Sequence, residues 1–406
     1  MKPIVIIADD LTGACDTGIK FHNVGLKTRV LTSPLAVGSF LPPDVPVISV
    51  NTCSRCMPAE QAKKVVGSLL AALHDRGDFY LYKKVDSVLR GNVMAEIEGV
   101  FDTLRPDFVI VASAFPENGR YVCGGVLHIC GPQGQKDTLD VLRLFQSQTE
   151  RRCARIDLEV VREGAKAVCA RAQELFGGGA TVLLADAWEQ KDLDILAEVV
   201  TELGSRCIPV GSAGLAQSIA ARFTAEDSQV QTRENTAWTS ALVVVGTRHP
   251  ATLRQLQQLK ERADMKVYVI PTKDITQENL PTIVSRVLEE PINPQGRDGI
   301  LLTTDGIYYG KESCCASLLR NEHNQLINMQ KISGIVATGG DVALEVLNRL
   351  HLHWIDLQTE PMPGIVAGNA GGSPGRNFLI TTKSGGFGGT DALVKMLQYI
   401  GSERNP

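Results

Sequence analysis

The chain has 406 residues, 44% of them hydrophobic and 21% charged, and carries a formal net charge of -4 at neutral pH. That length exceeds one ordinary core and implies two or three domains. The mildly acidic balance excludes a general nucleic-acid or membrane-surface binder, which needs a basic excess. There are ten cysteines but no secretory leader, because the apolar stretch Pro3 to Ala8 runs straight into two acids. A cytoplasmic protein with reduced thiols is therefore expected. Cys53-Ser54-Arg55-Cys56 is a lone CxxC without a second pair at zinc spacing, so the cysteines are read as packing residues.

In chain order, Ile4 to Ala8 is a continuous apolar run, the pattern of a parallel strand buried on both faces. Asp9 and Asp10 follow, and Thr12-Gly13 turns the chain into a helix that runs to about Val24. Adjacent carboxylates at a strand's carboxyl end are costly unless a ligand, a cation or a proton-transfer role uses them. A helix cap would account for one of the pair but not both. Strands are expected at Thr28 to Thr32, Val45 to Val50, Phe79 to Val85 and Phe108 to Ala112, with helices at Pro58 to Arg76 and Val93 to Leu104. Tyr121 to Ile129 reads as an extended or hairpin element. Asp137 to Gln146, Gly164 to Phe176, Thr181 to Ala185 and Leu193 to Leu203 continue the alternation.

Residues 224–240 are a polar run and the best linker candidate. A second alternating block then places strands at Ala241 to Val245, Lys266 to Ile270, Gly299 to Thr303, Gly334 to Ala337 and Phe378 to Thr382. Its helices are expected to start near Ala251, Gln277, Glu312, Val342 and Asp391. The pattern predicts an α/β protein of two domains, 1–223 and 241–406, joined by that linker. Each has a mainly parallel sheet flanked by helices, and the cleft between them is the expected site.

Three places in the second block repeat a buried strand, a glycine-bearing turn and a helix start: Val245 to Pro250, Ala337 to Val342, and Lys383 to Thr390. Such turns offer free N–H groups and the positive end of a helix dipole to a phosphate. No GxxxxGK[ST] occurs, and Gly386 to Asp391 fails the GxGxxG pattern at its last position, so a P-loop enzyme and a Rossmann dehydrogenase are both disfavoured. A haloacid-dehalogenase-type phosphatase fails because its nucleophile position is Ala8. In the first block, Tyr82 to Asn92 is the densest polar cluster at a strand end. Its cations suit a carboxylate and its Asp a sugar hydroxyl. Arg55 is a third strand-end group. His351-Leu352-His353 is the one close histidine pair and reads as a surface feature.

Asp9 to Gly18, Lys84 to Asn92, Gly339 to Asp341 and Lys383 to Gly388, taken in this order, resemble the motifs of the four-carbon acid sugar kinase family. The resemblance implies ATP-dependent phosphorylation of the 4-hydroxyl of a tetronate, with D-threonate as the expected substrate. D-erythronate, L-threonate or a 3-oxo-tetronate are the alternatives. It implies a sugar-acid site at Asp10, Arg55, Lys83, Lys84, Val85, Asp86 and Ser87, with Asp86 or Asp9 orienting or deprotonating the hydroxyl. Arg55 and Lys84 would hold the carboxylate. The nucleotide would meet Thr247, His249, Gly339, Gly340, Asp341, Val342, Gly385 and Gly386. Mg²⁺ would bridge its phosphates, with Asp10 or Asp341 as candidate ligands. One departure is plain: where the family has a G-S-x-S turn, this chain has Gly246-Thr247-Arg248-His249. Partners are the sugar acid and ATP, with no nucleic acid or membrane and with a homodimer left open. Outside the kinase class, a non-catalytic sugar-acid-binding regulator and an NAD-dependent enzyme are the competing readings.

Overall fold

The computed structural model describes residues 2–40, 44–130, 136–223, 240–245, 249–262, 266–269, 298–303, 334–372 and 377–402. The chain forms two compact units, Met1–Val37 with Leu41–Gln229, and Gly38–Phe40 with Val230–Pro406. The expected linker falls, but for residue 240, outside the described residues, as do the helices expected near Gln277 and Glu312.

The first unit contains strands β1 (Ile4–Ala8), β2 (Thr28–Leu31), β3 (Val47–Asn51), β4 (Tyr80–Lys84) and β5 (Phe108–Ala112). β6 (Arg120–Cys123), β7 (Val126–Cys130), β8 (Lys136–Asp140), β9 (Arg152–Ile156), β10 (Ala180–Ala185) and β11 (Cys207–Gly211) follow. Eight of these build one sheet in the order β2-β3-β1-β4-β11-β5-β10-β9, and every neighbouring pair in it is parallel. β1, β3 and β5 are buried at every residue, as strands covered on both faces are, and in β1 and β5 the apolar run is unbroken. The long helices of the unit are α1 (Leu11–His22), α2 (Ala59–His74), α3 (Val93–Leu104), α4 (Ala165–Gly177), α5 (Gln190–Leu203) and α6 (Ala213–Ala220). The chain leaves β1 towards β2 and β3 on one side and later returns to β4 on the other. Strand order therefore reverses beside β1, which is where an open α/β sheet leaves a crevice at its carboxyl edge. β6, β7 and β8 form a separate antiparallel sheet; its first two strands realise the expected hairpin. Asp137 to Gln146 divides into the end of β8 and a short helix, Val141–Gln146.

The second unit contains β12 (Ser240–Val245), β13 (Lys266–Val269), β14 (Asp298–Thr303), β15 (Gly334–Thr338), β16 (Leu352–Met362), β17 (Ile365–Gly372) and β18 (Asn377–Lys383). Its helices are α7 (Pro250–Arg262), α8 (Gly340–Arg349) and α9 (Ala392–Ser402). β13, β14, β12, β15 and β18 are parallel neighbours in that order. β17 and β16 extend the sheet as an antiparallel hairpin, so the sheet is mixed where strand–helix alternation alone implies parallel pairing. Val243, Val245, Leu256, Leu259, Val336, Leu393, Met396 and Ile400 share one buried cluster between sheet and helices. Among the described residues no helix is long and apolar enough to cross a membrane. The eight described cysteines are free thiols.

Candidate active site

Parallel register brings the site of the first unit together. Ala8 of β1 pairs with Asn51 of β3, and Ile7 pairs with Lys83 of β4, so the three strands end side by side. The residues that follow them, Asp9-Asp10, Thr52 to Arg55 and Val85-Asp86, therefore lie together at one edge of the sheet. Asp10 caps α1: its Oδ1 accepts from the Gly13 amide at 2.9 Å and its Oδ2 from the Thr12 hydroxyl at 2.6 Å. One acid of the pair is therefore a helix cap, and the other is held differently. Asp9 accepts from Arg55 Nε at 2.6 Å and Nη2 at 2.9 Å, a two-pronged contact, while the same Nη2 reaches Asp10 Oδ1 at 2.9 Å. Asp86 Oδ2 stands 3.7 Å from that guanidinium.

Asp86 is gripped by its own turn. Its Oδ1 accepts from the Val88 amide at 3.0 Å and from Arg90 Nε at 3.0 Å, and its Oδ2 from Arg90 Nη2 at 2.6 Å. Burial opposes its charge, but the hydrogen bond and charge of Arg90, with Arg55 and Lys84, hold the carboxyl well below the usual range. Burial likewise opposes the charge of Arg55, but Asp10, Asp9 and Asp86 together raise its pKa well above the ordinary arginine value. A Cβ on Gly91, whose φ is +89°, would come within 3.1 Å of Asp9 Oδ2 and 3.3 Å of Arg55 Cγ. A Cβ on Gly13 would stand 2.5 Å from Asp10 Oδ1 and 3.1 Å from Lys84 Nζ, so that ammonium lies against the first turn of α1. These two glycines let backbone approach the carboxylates closely.

The two expected lysines part company. Successive side chains of a strand face opposite ways, and β4 is buried on both faces. Lys84 takes the side of Asp10. Lys83 is 0% exposed, and its Nζ meets Glu96 Oε2 at 2.6 Å and donates to the Ile7 and Lys84 carbonyls. Glu96 also accepts from the Ser54 hydroxyl at 2.6 Å, and burial pushes its carboxyl up. Contrary to expectation, Lys83 therefore has no path to a ligand and acts through Glu96 on the Ser54–Arg55 turn. Val85 is core, its amide donating to the Gly211 carbonyl; Ser87 is half-buried on the turn beside Asp86. Asn92 Nδ2 ties the same turn down through the Ser54 and Met57 carbonyls, at 2.8 Å each.

In the second unit Val245, Thr338 and Lys383 end the adjacent strands β12, β15 and β18 in register, so the glycine turns after β15 and β18 share one sheet edge. Thr247 lies outside the described residues. His249 is exposed, and its Nδ1 accepts from the Ala251 amide at 3.2 Å. Its Nε2 is 3.3 Å from where a Gly386 Cβ would stand, so His249 and Gly386 are brought together. Gly385 O accepts from the Thr252 hydroxyl at 2.6 Å, and Gln255 Nε2 donates to the Phe387, Gly388 and Gly389 carbonyls. Gly339 precedes α8 with a φ of +89°, and no side chain caps that helix. The first-turn amides at Gly340, Asp341 and Val342 are thus left for an anion, with the Val342 side chain in the core and Asp341 exposed. These features fit a nucleotide's phosphates. Among the described residues no three His, Cys, Asp or Glu side chains are grouped to hold a metal.

Thr252 and Gln255, which residue patterns do not mark, emerge as supports of the glycine loop together with Lys383, the first residue of its motif. Lys383 is buried, and its Nζ donates to Thr252 Oγ1 at 2.9 Å and to the Ser384 carbonyl at 3.0 Å. With no carboxylate to offset it, burial lowers its pKa to about 7. Between that value and the free-lysine value of about 10.4, the unfolded chain binds the proton that the folded one has released. Stability therefore rises with pH across that window. The second unit's thermal midpoint should climb between pH 7 and about 9, by up to about 1.4 kcal/mol of stability per pH unit. In Lys383→Met the slope should vanish, as calorimetry at several pH values can read.

The comparisons agree with this division. A model described as a sugar-binding N-terminal domain matches residues 4–219, and one described as a nucleotide-binding C-terminal domain matches residues 242–393. A D-threonate kinase of Bordetella bronchiseptica is 30% identical, over 99% of this chain and 98% of its own. A D-erythronate kinase of Heliobacterium modesticaldum is 26% identical, over 98% of this chain and 97% of its own. A solved structure of a Salmonella typhimurium LT2 protein shares the fold, with a TM-score of 0.79 at 20% identity, covering 97% of this chain and 98% of its own. Fold and matches together define a phosphoryl-transfer enzyme with a sugar-binding and a nucleotide-binding part. The chain belongs to the four-carbon acid sugar kinase family. That membership displaces the non-catalytic and NAD-dependent readings.

Proposed function

We propose that the protein transfers the γ-phosphoryl group of ATP to the 4-hydroxyl of D-threonate, giving 4-phospho-D-threonate. The observation that carries the reading is the crevice where Asp9, Asp10, Arg55 and Asp86 converge at adjacent strand ends. Ionised carboxylates there accept hydrogen bonds from substrate hydroxyls, and Asp86 is the group we assign to the 4-hydroxyl. Its depressed pKa makes it a weak proton store, so it orients the nucleophile and receives the proton only as the bond to phosphorus forms. Phosphoryl transfer places little demand on a strong base, because its transition state is loose. Asp9 keeps Arg55 in place, and Arg55 in turn lines up Asp10 and Asp86. The amides after Gly339 and the loop at Gly385-Gly386, with His249 against it, take the nucleotide. Mg²⁺ would supply charge neutralisation at the phosphates, with Asp10 or the exposed Asp341 as the carboxylates that would hold it. The match to D-threonate and D-erythronate kinases supports the tetronate class, and the higher identity of the former favours D-threonate.

The test is ADP release with D- and L-threonate, D- and L-erythronate and their 3-oxo forms. The highest kcat/KM is expected for D-threonate. A different best acceptor would replace the substrate but keep the chemistry, whereas no turnover on any of the six would refute the reading.

A further inference from the structure

The carboxylate of a sugar acid needs a cation that is not already neutralised; of the two expected holders, Arg55 is enclosed by Asp9, Asp10 and Asp86, and buried Lys84 lies against Asp10 and the first turn of α1. Arg90 is likewise committed to Asp86 through two hydrogen bonds. A different guanidinium stands close by. Arg120 begins β6, on the segment that leaves the carboxyl end of β5, and so comes from the same edge of the sheet. It interacts electrostatically with both Asp86 and Arg90, and burial pulls its pKa below the ordinary arginine value. Among the described residues no carboxylate pairs with it. Its Nη1 donates to the Asn118 carbonyl, but its Nε is buried with no acceptor. Two residues away, the Asn118 side-chain Nδ2 is also buried without an acceptor. Buried donors without partners are rare, because each forfeits its hydration. A pair of them on one turn next to a ligand crevice indicates an oxygen-rich, negatively charged ligand group.

The turn is built to hold these donors still. Phe115 and Arg120 exchange both backbone hydrogen bonds, at 2.9 and 3.1 Å. Gly119 has a φ of +69°, and a Cβ there would lie 2.9 Å from the Cys130 carbonyl oxygen, so β7 packs directly on the turn. Charge points the same way. Asp9, Asp10 and Asp86 set three negative charges against four positive ones on Arg55, Lys84, Arg90 and Arg120, leaving one cation over. One singly charged acid completes the balance.

We infer that Arg120, assisted by the Asn118 amide, receives the substrate's carboxylate and sets the preference for acids over neutral sugars. This rests on the tetronate-kinase reading. The test compares D-threonate with its primary amide, which keeps the hydroxyls and loses the charge. In the wild type the acid should be the better acceptor. Arg120→Ala should raise KM for the acid by about 10- to 100-fold, the worth of a hydrogen-bonded charge. KM for ATP should stay within about 3-fold, and KM for the amide should barely move, so that the acid preference collapses. Arg120→Lys should restore part of it. Asn118→Ala, which leaves the guanidinium in place, should weaken the acid selectively by a smaller factor and serves if Arg120→Ala fails to fold. An unchanged ratio of acid to amide in folded Arg120→Ala, or in Asn118→Ala if Arg120→Ala does not fold, overturns the inference while the kinase reading stands. A wild type inactive on every tetronate overturns both.

Discussion

Replacing Asp86 by alanine is expected to lower kcat/KM for the sugar acid by about 10²- to 10⁴-fold, the range associated with losing a positioned acid–base group. The loss should fall on kcat more than on KM for ATP, since Asp86 belongs to the sugar-binding unit. Two effects combine. The substrate hydroxyl loses its acceptor, and Arg90 loses the carboxylate that both its Nε and Nη2 engage. Asp86→Asn separates them, since it keeps the size and one acceptor oxygen but removes the charge. If orientation alone mattered, asparagine would retain much of the activity; the charge-dependent reading expects it to lie near alanine. Near wild-type turnover of the alanine variant would remove Asp86 from the mechanism.

The pH profile offers an independent check on the same residue. The folded-state pKa of Asp86 is depressed, so its contribution to stability is complete above the unfolded value of about 4 and is lost as pH falls through the lower folded value. The carboxylate therefore stays ionised throughout any practical assay. No acid limb in kcat/KM above about pH 5 should trace to it. Arg90→Ala removes the main partner, so Asp86 should then titrate closer to the ordinary range and an acid limb should move upward. That displacement, rather than the loss of rate alone, marks the ion pair as the cause.

Much of this arrangement was legible in the residues, for definite reasons. β1 and β5 are unbroken apolar runs and form over the expected spans, because burial on both faces leaves no other pattern possible. Parallel strands then force their carboxyl ends together, which is why Asp9, Arg55 and Asp86 meet although they are far apart in sequence. β11 escaped notice because Pro209 sits inside it, and proline argues against a central strand. β9 is an edge strand of sequence Arg152-Cys153-Ala154-Arg155-Ile156, whose two arginines break any apolar run, so it lacks an apolar signature. β16 slips register three times against β17, which destroys the two-residue period that marks a half-buried strand. Lys83 and Lys84 are indistinguishable as letters and both are buried; only the position of α3, which carries Glu96, decides that Lys83 is the one paired with a carboxylate while Lys84 lies against α1. Arg120 was invisible for a subtler reason. Its meaning lies in a buried Nε without an acceptor, a property of space and not of composition.

The Lys83–Glu96 pair is where the second large effect is expected, this time on stability. Both side chains are nearly inaccessible, at 0% and 1%, and removing one partner of such a pair strands the other charge in a low-dielectric interior, at a cost of about 3–5 kcal/mol. Lys83→Met should therefore lower the first unit's unfolding midpoint sharply. The lost ammonium also leaves the Ile7 carbonyl without its 3.3 Å contact. Glu96→Gln keeps a single acceptor oxygen for the two donors, Ser54 and Lys83, and leaves the ammonium without a counter-charge, so it should destabilise too. In the double variant neither charge remains, and its loss should be smaller than the sum of the singles by about 1–3 kcal/mol, as expected for residues in direct contact. Additive losses would show that the two charges act separately. The pair also reaches the site, because Glu96 holds the Ser54 hydroxyl one residue before Arg55. At temperatures where folded Glu96→Gln persists, KM for the sugar acid should rise while KM for ATP does not. Equal shifts in both would mean that the pair supports the fold alone and leaves the alignment of Arg55 to Asn92 and Asp9.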